Sequence, residues 1–397
     1  MDRRQECQGG TGRKQPYPRN NKVDLETSPF SPYSKPIFWH NQSEAPLSQT
    51  GANMARLHTI PHFTSIFATL IILLCIIFLH TQTASAARVT IMLNWLPGGA
   101  HVPIFYARDA GFYQKAGIDA VIESTRGSRD ALDALGAGKA QFAIAEATEL
   151  FASRADGLRA VGVMAYFDRS PNAIFTLKRP DISHLSDLNG KRIAAPHSSF
   201  PRIMFSSLET VGKVDLKKIS WVNIPPVEML PALIVGKVDA VASSLMNVYQ
   251  YRAAARKRGK EITHLPFADA GVNPYSLVLA SPKSFITKNP KLAKAFVHAT
   301  AEGMAAALEQ PGKALNAFLK LNPAADPNRS RAQWREAHKL MYLPGSANVV
   351  LGKFNRNRVE WMRKFLARIG NFRNTSTSID IYSNDLLPML RPQPSKF

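Results

Sequence analysis

The sequence predicts an α/β protein of two lobes, and three observations carry that expectation. From Ala87 onward, short apolar runs alternate with helical stretches, the βαβα rhythm of a mainly parallel sheet covered on both faces. That rhythm runs twice, and Gly138-Lys-Ala-Gln-Phe-Ala-Ile-Ala is echoed by Gly236-Lys-Val-Asp-Ala-Val-Ala-Ser. Each echo reads as a glycine-capped helix end followed by a short strand, which suggests two similar sheets. Finally, 397 residues are enough to bury two sizeable cores.

Taken in order, residues 1–53 are polar and without apolar periodicity, so they read as disordered or as an over-extended gene start ahead of Met54. Residues 54–86 have the form of an export signal. Arg56 precedes an apolar run over 66–79 that is short for a membrane span, and Ala84-x-Ala86 sets cleavage after Ala86. Lobe I is expected over 87–177. Val89, Ile91 and Leu93 alternate with Thr90 and Met92 as a strand does, and Pro97, Gly98 and Gly99 end it. Pro103 stands near the start of a helix over 102–110, where its missing N–H costs nothing. Strands follow near 120–123, 140–145 and 160–167 with helices at 130–136 and 146–155, and a strand at 173–177 leads out. Lobe II, over 178–274, has strands at 193–195, 220–224, 239–242 and 262–266 and helices at 201–211, 227–235 and 248–258. A strand at 275–280 returns the chain to lobe I. Helices at 290–310, 311–321, 330–342 and 356–369 then complete residues 275–372, and 373–397 read as a loose polar tail.

Composition narrows the function. The chain carries 50 Lys and Arg against 29 Asp and Glu, a balance that favours anionic partners. The cations are scattered, with no RNP, helix-turn-helix or zinc-finger pattern, so a solvated basic surface is expected and no nucleic-acid partner. Cys7 and Cys75 both precede the folded body, which leaves the mature protein no disulfide, thiolate nucleophile or cysteine metal site. No carboxylate pair, Ser/His/Asp set or histidine cluster has a spacing that compels catalysis or metal binding, so no cofactor is expected.

Candidate ligand-binding residues sit where strands end and helices begin, the place where open α/β sheets bind small molecules. In lobe I, Asn94 offers amide hydrogen bonds and Trp95 an aromatic face for a planar ligand. His101 either donates to the ligand or caps the next helix. Ser128 and Arg129 either grip an anion or form a helix cap with a solvated guanidinium. Glu146, with Thr148 after it, either faces the cleft as an acidic recognition group or is a first-turn charge favoured by the helix dipole. In lobe II, Ser198 and Ser199 precede a helix as anion-binding or merely capping serines. Ser243, Ser244 and Asn247 take the equivalent place after the later strand, and Asn273 and Tyr275 are expected at the crossover, facing the cleft mouth.

Several motifs together resemble one family. They are Leu93-Asn94-Trp95 with Pro97, His101-Val-Pro-Ile-Phe-Tyr, Ala110-Gly-Phe-Tyr-Gln-Lys-Ala-Gly-Ile-Asp, Gly138-Lys, Leu188-Asn-Gly-Lys-Arg-Ile, and Pro282-Lys-Ser-Phe with Asn289-Pro290. Over about 88–319 the chain resembles the periplasmic-binding-protein superfamily that includes thiamine-pyrimidine-precursor-binding proteins, the related fungal pyrimidine synthases, and sulfonate-, nitrate- and taurine-binding proteins. The resemblance implies a two-lobed type II-like binding-protein fold with a hinge and C-terminal helices. It also implies a monomer in the periplasm that closes on a small ligand for an ABC permease of the inner membrane. A thiamine-related pyrimidine is the favoured ligand, and a sulfonate, taurine or nitrate the alternative, for which Arg129 and the serine loops would serve. The family's synthases use a lysine that holds pyridoxal phosphate, a substrate histidine and a cysteine-rich segment linked to iron. Those positions fall here on Ala145, Glu149 and residues 272–276, which lack all three, so the chain is expected not to be an enzyme.

Overall fold

The computed structural model describes residues 86–197, 199–211, 213–342, 350–368, 378–395 and 397, all within the second of two compact units, Thr81–Phe397. The expectations for residues 1–85, among them the signal segment, lie outside these residues, as does Ser198.

Two five-stranded sheets share one plan. The first has the order β2-β1-β3-β10-β4, from β1 (Ala87–Leu93), β2 (Ile118–Ser124), β3 (Phe142–Glu146), β4 (Ala160–Ala165) and β10 (Leu277–Pro282). The second has the order β7-β6-β8-β5-β9, from β5 (Asn172–Leu177), β6 (Arg192–Ala194), β7 (Ser220–Val222), β8 (Ala240–Ser244) and β9 (Ile262–Pro266). In each, three strands run parallel and the fourth place is taken by an antiparallel strand that has just crossed from the other sheet: β10 in the first, β5 in the second. The two glycine-led echoes are the corresponding third strands, β3 and β8.

This corrects the expected boundary. Residues 173–177 do not close the first lobe. They lie in the second sheet, with Ala173 opposite Ser243 on one side and Pro266 on the other. The alternation of strand and helix records that a strand exists but not which sheet it joins.

Helices cover both faces of the first sheet. They are α1 (Val102–Asp109), α2 (Phe112–Lys115), α3 (Ser128–Gly136) and α4 (Ala147–Ala155), followed in the second lobe by α5 (Phe200–Phe205), α6 (Ser207–Thr210), α7 (Pro226–Ile234) and α8 (Val248–Arg256). After β9 come α9 (Lys283–Lys288), α10 (Pro290–Glu309), α11 (Pro311–Leu321), α12 (Pro327–Met341) and α13 (Arg356–Arg368). The pleat of β1 sorts its side chains: Val89, Ile91 and Leu93 join the core shared with α1 and α10, while Met92 joins the one shared with α3 and α4. Helices α1 and α10 approach so closely that a Cβ on Gly303 would stand 2.3 Å from the Ala107 Cβ.

Two further segments depart from expectation. The end of the chain is not a loose tail over its described part. Tyr382 bridges to Gly162 beside β4, Ile381 and Leu386 are buried, and Phe397 meets the Trp334 ring edge-on at 6.1 Å. Apolar residues set singly among polar ones gave no periodicity to read. Helix α12 lies outside both sheets, yet it packs on the 99–101 turn of the first lobe and on α8 and the 245–247 turn of the second. No helix among the described residues is long and apolar enough to cross a membrane.

Candidate functional site

A cavity of about 490 Å³ opens at the carboxyl ends of β1, β3 and β8. Four segments wall it: the 94–101 loop after β1, Glu146 with Ser276 and Leu277, residues 244–250 of the second lobe, and the start of α12. Phe167 and Pro171, from the chain crossing between the sheets, complete it.

Loop 94–101 is held from three sides. Thr125 donates its hydroxyl to Leu93 O at 2.8 Å, and buried Tyr166 donates to Ala100 O at 2.9 Å. Gly99 N–H donates to Gln333 Oε1 at 3.2 Å, and a Cβ on Gly99 would stand 2.3 Å from the backbone nitrogen of Trp334. Glycine is required there because the backbone of α12 occupies the space.

Within that loop His101 is only 3 % exposed, and burial pulls its imidazole down to about 4, so the ring is neutral near pH 7. Its Nε2 lies 3.0 Å from Asn94 Oδ1, and it makes no side-chain cap of α1. A neutral ring with Nε2–H donating occupies the Asn94 carbonyl and leaves the amide N–H groups to donate elsewhere. Trp95, 56 % exposed, stands at the rim and offers a bare aromatic face.

Glu146 is the N-cap residue of α4, but its side chain makes no cap bond. Its Oε2 accepts the hydroxyl of Ser276 at 2.9 Å, and Ser276 is itself 1 % exposed. Burial pushes the Glu146 carboxyl up to about 7, against the smaller downward pull of the Ser276 hydrogen bond. Burial therefore favours its protonated form far more than in an ordinary glutamate. As an acid it donates through O–H and accepts through C=O, which complements a ring nitrogen beside an exocyclic amine.

The structure thus brings Asn94, Trp95, His101, Glu146 and Asn247 to one cavity. The other candidates go elsewhere, each for a visible reason. Ser128 stands behind the site, its Oγ accepting Glu146 N–H at 3.0 Å and fixing that backbone. Arg129 points outward into ion pairs with Asp156 at 2.8 Å and Asp133 at 3.1 Å, so it grips no ligand in the cavity. Thr148 and Ser199 are not in the cavity wall; Ser199 Oγ is buried without a hydrogen-bond partner. Ser243 lies inside the second lobe, where its Oγ accepts from Asn247 Nδ2 at 3.0 Å and from Tyr251 at 3.3 Å; its neighbour Ser244 takes the wall position. Asn273 ties the two crossings together, accepting Ser170 N–H at 2.7 Å. Tyr275, 2 % exposed, turns away from the cleft mouth, its hydroxyl accepting Asn355 N–H at 2.8 Å. In the segment before β10 the two neighbours point apart, so Ser276 faces Glu146 where Tyr275 was expected to face the ligand.

Sequence reading missed Ser276, Gln250, Arg329, Ser330 and Gln333 in this wall. The last three ride on α12, whose start carried a readable signal in Asp326-Pro327. Asp326 Oδ1 accepts Arg329 N–H at 2.6 Å as the cap, and Pro327 occupies the first turn. Among the described residues no group of histidines, cysteines and acids could hold a metal ion.

Two like-patterned sheets with a cleft at their strand ends define a two-lobed binding-protein fold. That fold is shared with the periplasmic aliphatic sulphonate binding protein of Escherichia coli, at a TM-score of 0.57 and 15 % identity over 74 % of this chain and 96 % of that one. The chain belongs to the NMT1/THI5 like family, which matches residues 99–314, more than half of its length. Among relatives, a formylaminopyrimidine-binding protein of Halalkalibacterium halodurans is 24 % identical over 64 % of this chain and 78 % of its own. A 4-amino-5-hydroxymethyl-2-methylpyrimidine phosphate synthase of Saccharomyces cerevisiae is 24 % identical over 64 % of this chain and 77 % of its own. The latter overturns the expectation that the chain is not an enzyme: the same family holds binding proteins and synthases at equal similarity, so absence of the synthase residues at three positions does not exclude catalysis.

Proposed function

We propose that this chain is an exported solute-binding protein whose lobes close on a thiamine-related aminopyrimidine for delivery to an ABC permease of the inner membrane. The observation that carries the reading is the placement of Glu146, its carboxyl pushed up by burial, in one cavity with the amide of Asn94 and the ring of Trp95. The acid pairs with the ring nitrogen and amine of the pyrimidine, Asn94 donates to a further acceptor, and Trp95 stacks on the planar ring. The 66–79 apolar run and Ala84-x-Ala86 support export. The relative that binds a formylaminopyrimidine supports the ligand class.

Thermal unfolding of the purified protein tests this. A ligand at a hundred times its Kd stabilises by about 2.7 kcal/mol. An aminopyrimidine is expected to raise Tm, and Trp95→Ala to weaken its binding about tenfold, on the order of 1–2 kcal/mol for a stacked ring. Stabilisation by alkanesulfonates or nitrate, with no response to any aminopyrimidine, would sink the reading.

A further inference from the structure

Resting on that reading, we propose that helix α12 sets the ligand class of this cavity. Arg329 receives an anionic substituent, so that the ligand carries an amine-bearing ring edge toward Glu146 and an oxyanion toward the rim. Among the described residues that line the cavity, Arg329 is the one Lys or Arg. Among the described residues its guanidinium has no carboxylate partner, whereas Arg129, outside the cavity, is taken up by Asp133 and Asp156. Asp326, the nearest acid in sequence, has Oδ1 committed to the Arg329 backbone N–H.

The position follows from helix geometry. Gln333 touches Gly98 and accepts from Gly99, and Arg329 lies four residues earlier, one turn toward the helix start on the same face. Arg329, Gln333 and Trp95 all line the same cavity. An exposed guanidinium holds phosphate or carboxylate through paired N–H donors and keeps its charge at every working pH. Helix α12 also lies outside residues 99–314, so this wall is not part of what the family match covers. The shared segment supplies Glu146, His101 and Ser276, and α12 adds the cation.

Calorimetric titration of the purified full chain with 4-amino-5-hydroxymethyl-2-methylpyrimidine and with its phosphate ester tests the assignment. The ester is expected to bind about tenfold tighter, with the margin shrinking as salt rises from about 0.05 M to about 0.5 M. Arg329→Gln should bring the ester down to the affinity of the alcohol, and Arg329→Lys should restore part of the margin. An alcohol that binds as tightly as the ester, or a margin that survives Arg329→Gln, overturns this inference and leaves the aminopyrimidine reading standing. Binding of neither compound overturns both.

Discussion

Glu146 and His101 face one cavity and titrate in opposite senses. Burial holds the glutamate at about 7 against an ordinary 4.5, so between those values the folded protein binds more protons than the unfolded chain. Stability from this group is therefore lost as pH climbs through that window, by an amount on the order of 3 kcal/mol. His101, held at about 4 against 6.5, binds fewer protons when folded, and its contribution rises with pH over that range. The two slopes oppose each other where the windows overlap. Glu146→Gln removes one slope, so its stability relative to the natural protein should improve from about pH 4.5 to about pH 7. Denaturant melts across that range check this, and a difference that stays flat with pH would show that Glu146 ionises as an ordinary surface carboxylate. The same substitution separates the two forms of the acid in binding. An amide donates and accepts as the protonated carboxyl does. Aminopyrimidine affinity should thus fall above about pH 7 in the natural protein and stay level in Glu146→Gln.

At the scale of elements, the decisive contact joins α12 to the 94–101 loop. Gly99→Ala would drive a methyl group into the backbone of α12 at Trp334. None of the three nearest atoms, Trp334 N, Gln333 Cβ and Gln333 C, is the free end of a side chain, so overpacking should cost about 1–3 kcal/mol and lower ligand affinity together with Tm. Gly127→Ala, with nothing within 4 Å of the added carbon, is the matched control. A Gly99→Ala protein as stable as that control would mean that α12 rides loosely on the loop. This contact marks the limit of sequence reading. The alternation of Val89, Ile91 and Leu93, the turn after it and the helix near 330–342 were all legible, because each is written in local spacing. That Gln333 meets Gly99 was not, because the partners stand 234 positions apart and no local pattern couples them. For the same reason Glu146 could be singled out, while Ser276, the hydroxyl that holds it, could not.

The whole molecule turns on the two crossings between the sheets, residues 166–171 and 271–276, and a third element braces them both. Arg358, on α13, donates Nη1 to Asp168 Oδ1 at 2.9 Å and Nη2 to Pro274 O at 3.2 Å, with its guanidinium 3.7 Å from the Tyr275 ring centre. Asn273 joins the crossings directly by accepting from Ser170, and Arg169 pairs with Asp269 beside them. Lobe closure must either keep this brace rigid or flex around it, since a ligand can shift the lobes only by what it gains in one arrangement over the other. The Arg358 and Asp168 side chains are 16 % and 19 % exposed, so removing one leaves the other largely desolvated and unpaired. Arg358→Met and Asp168→Asn should each cost roughly 3 kcal/mol. The double variant should cost clearly less than their sum, because neither charge is then stranded. A denaturant double-mutant cycle measures the difference. Strict additivity would mean that the two side chains act independently and that α13 does not brace the crossings through this pair.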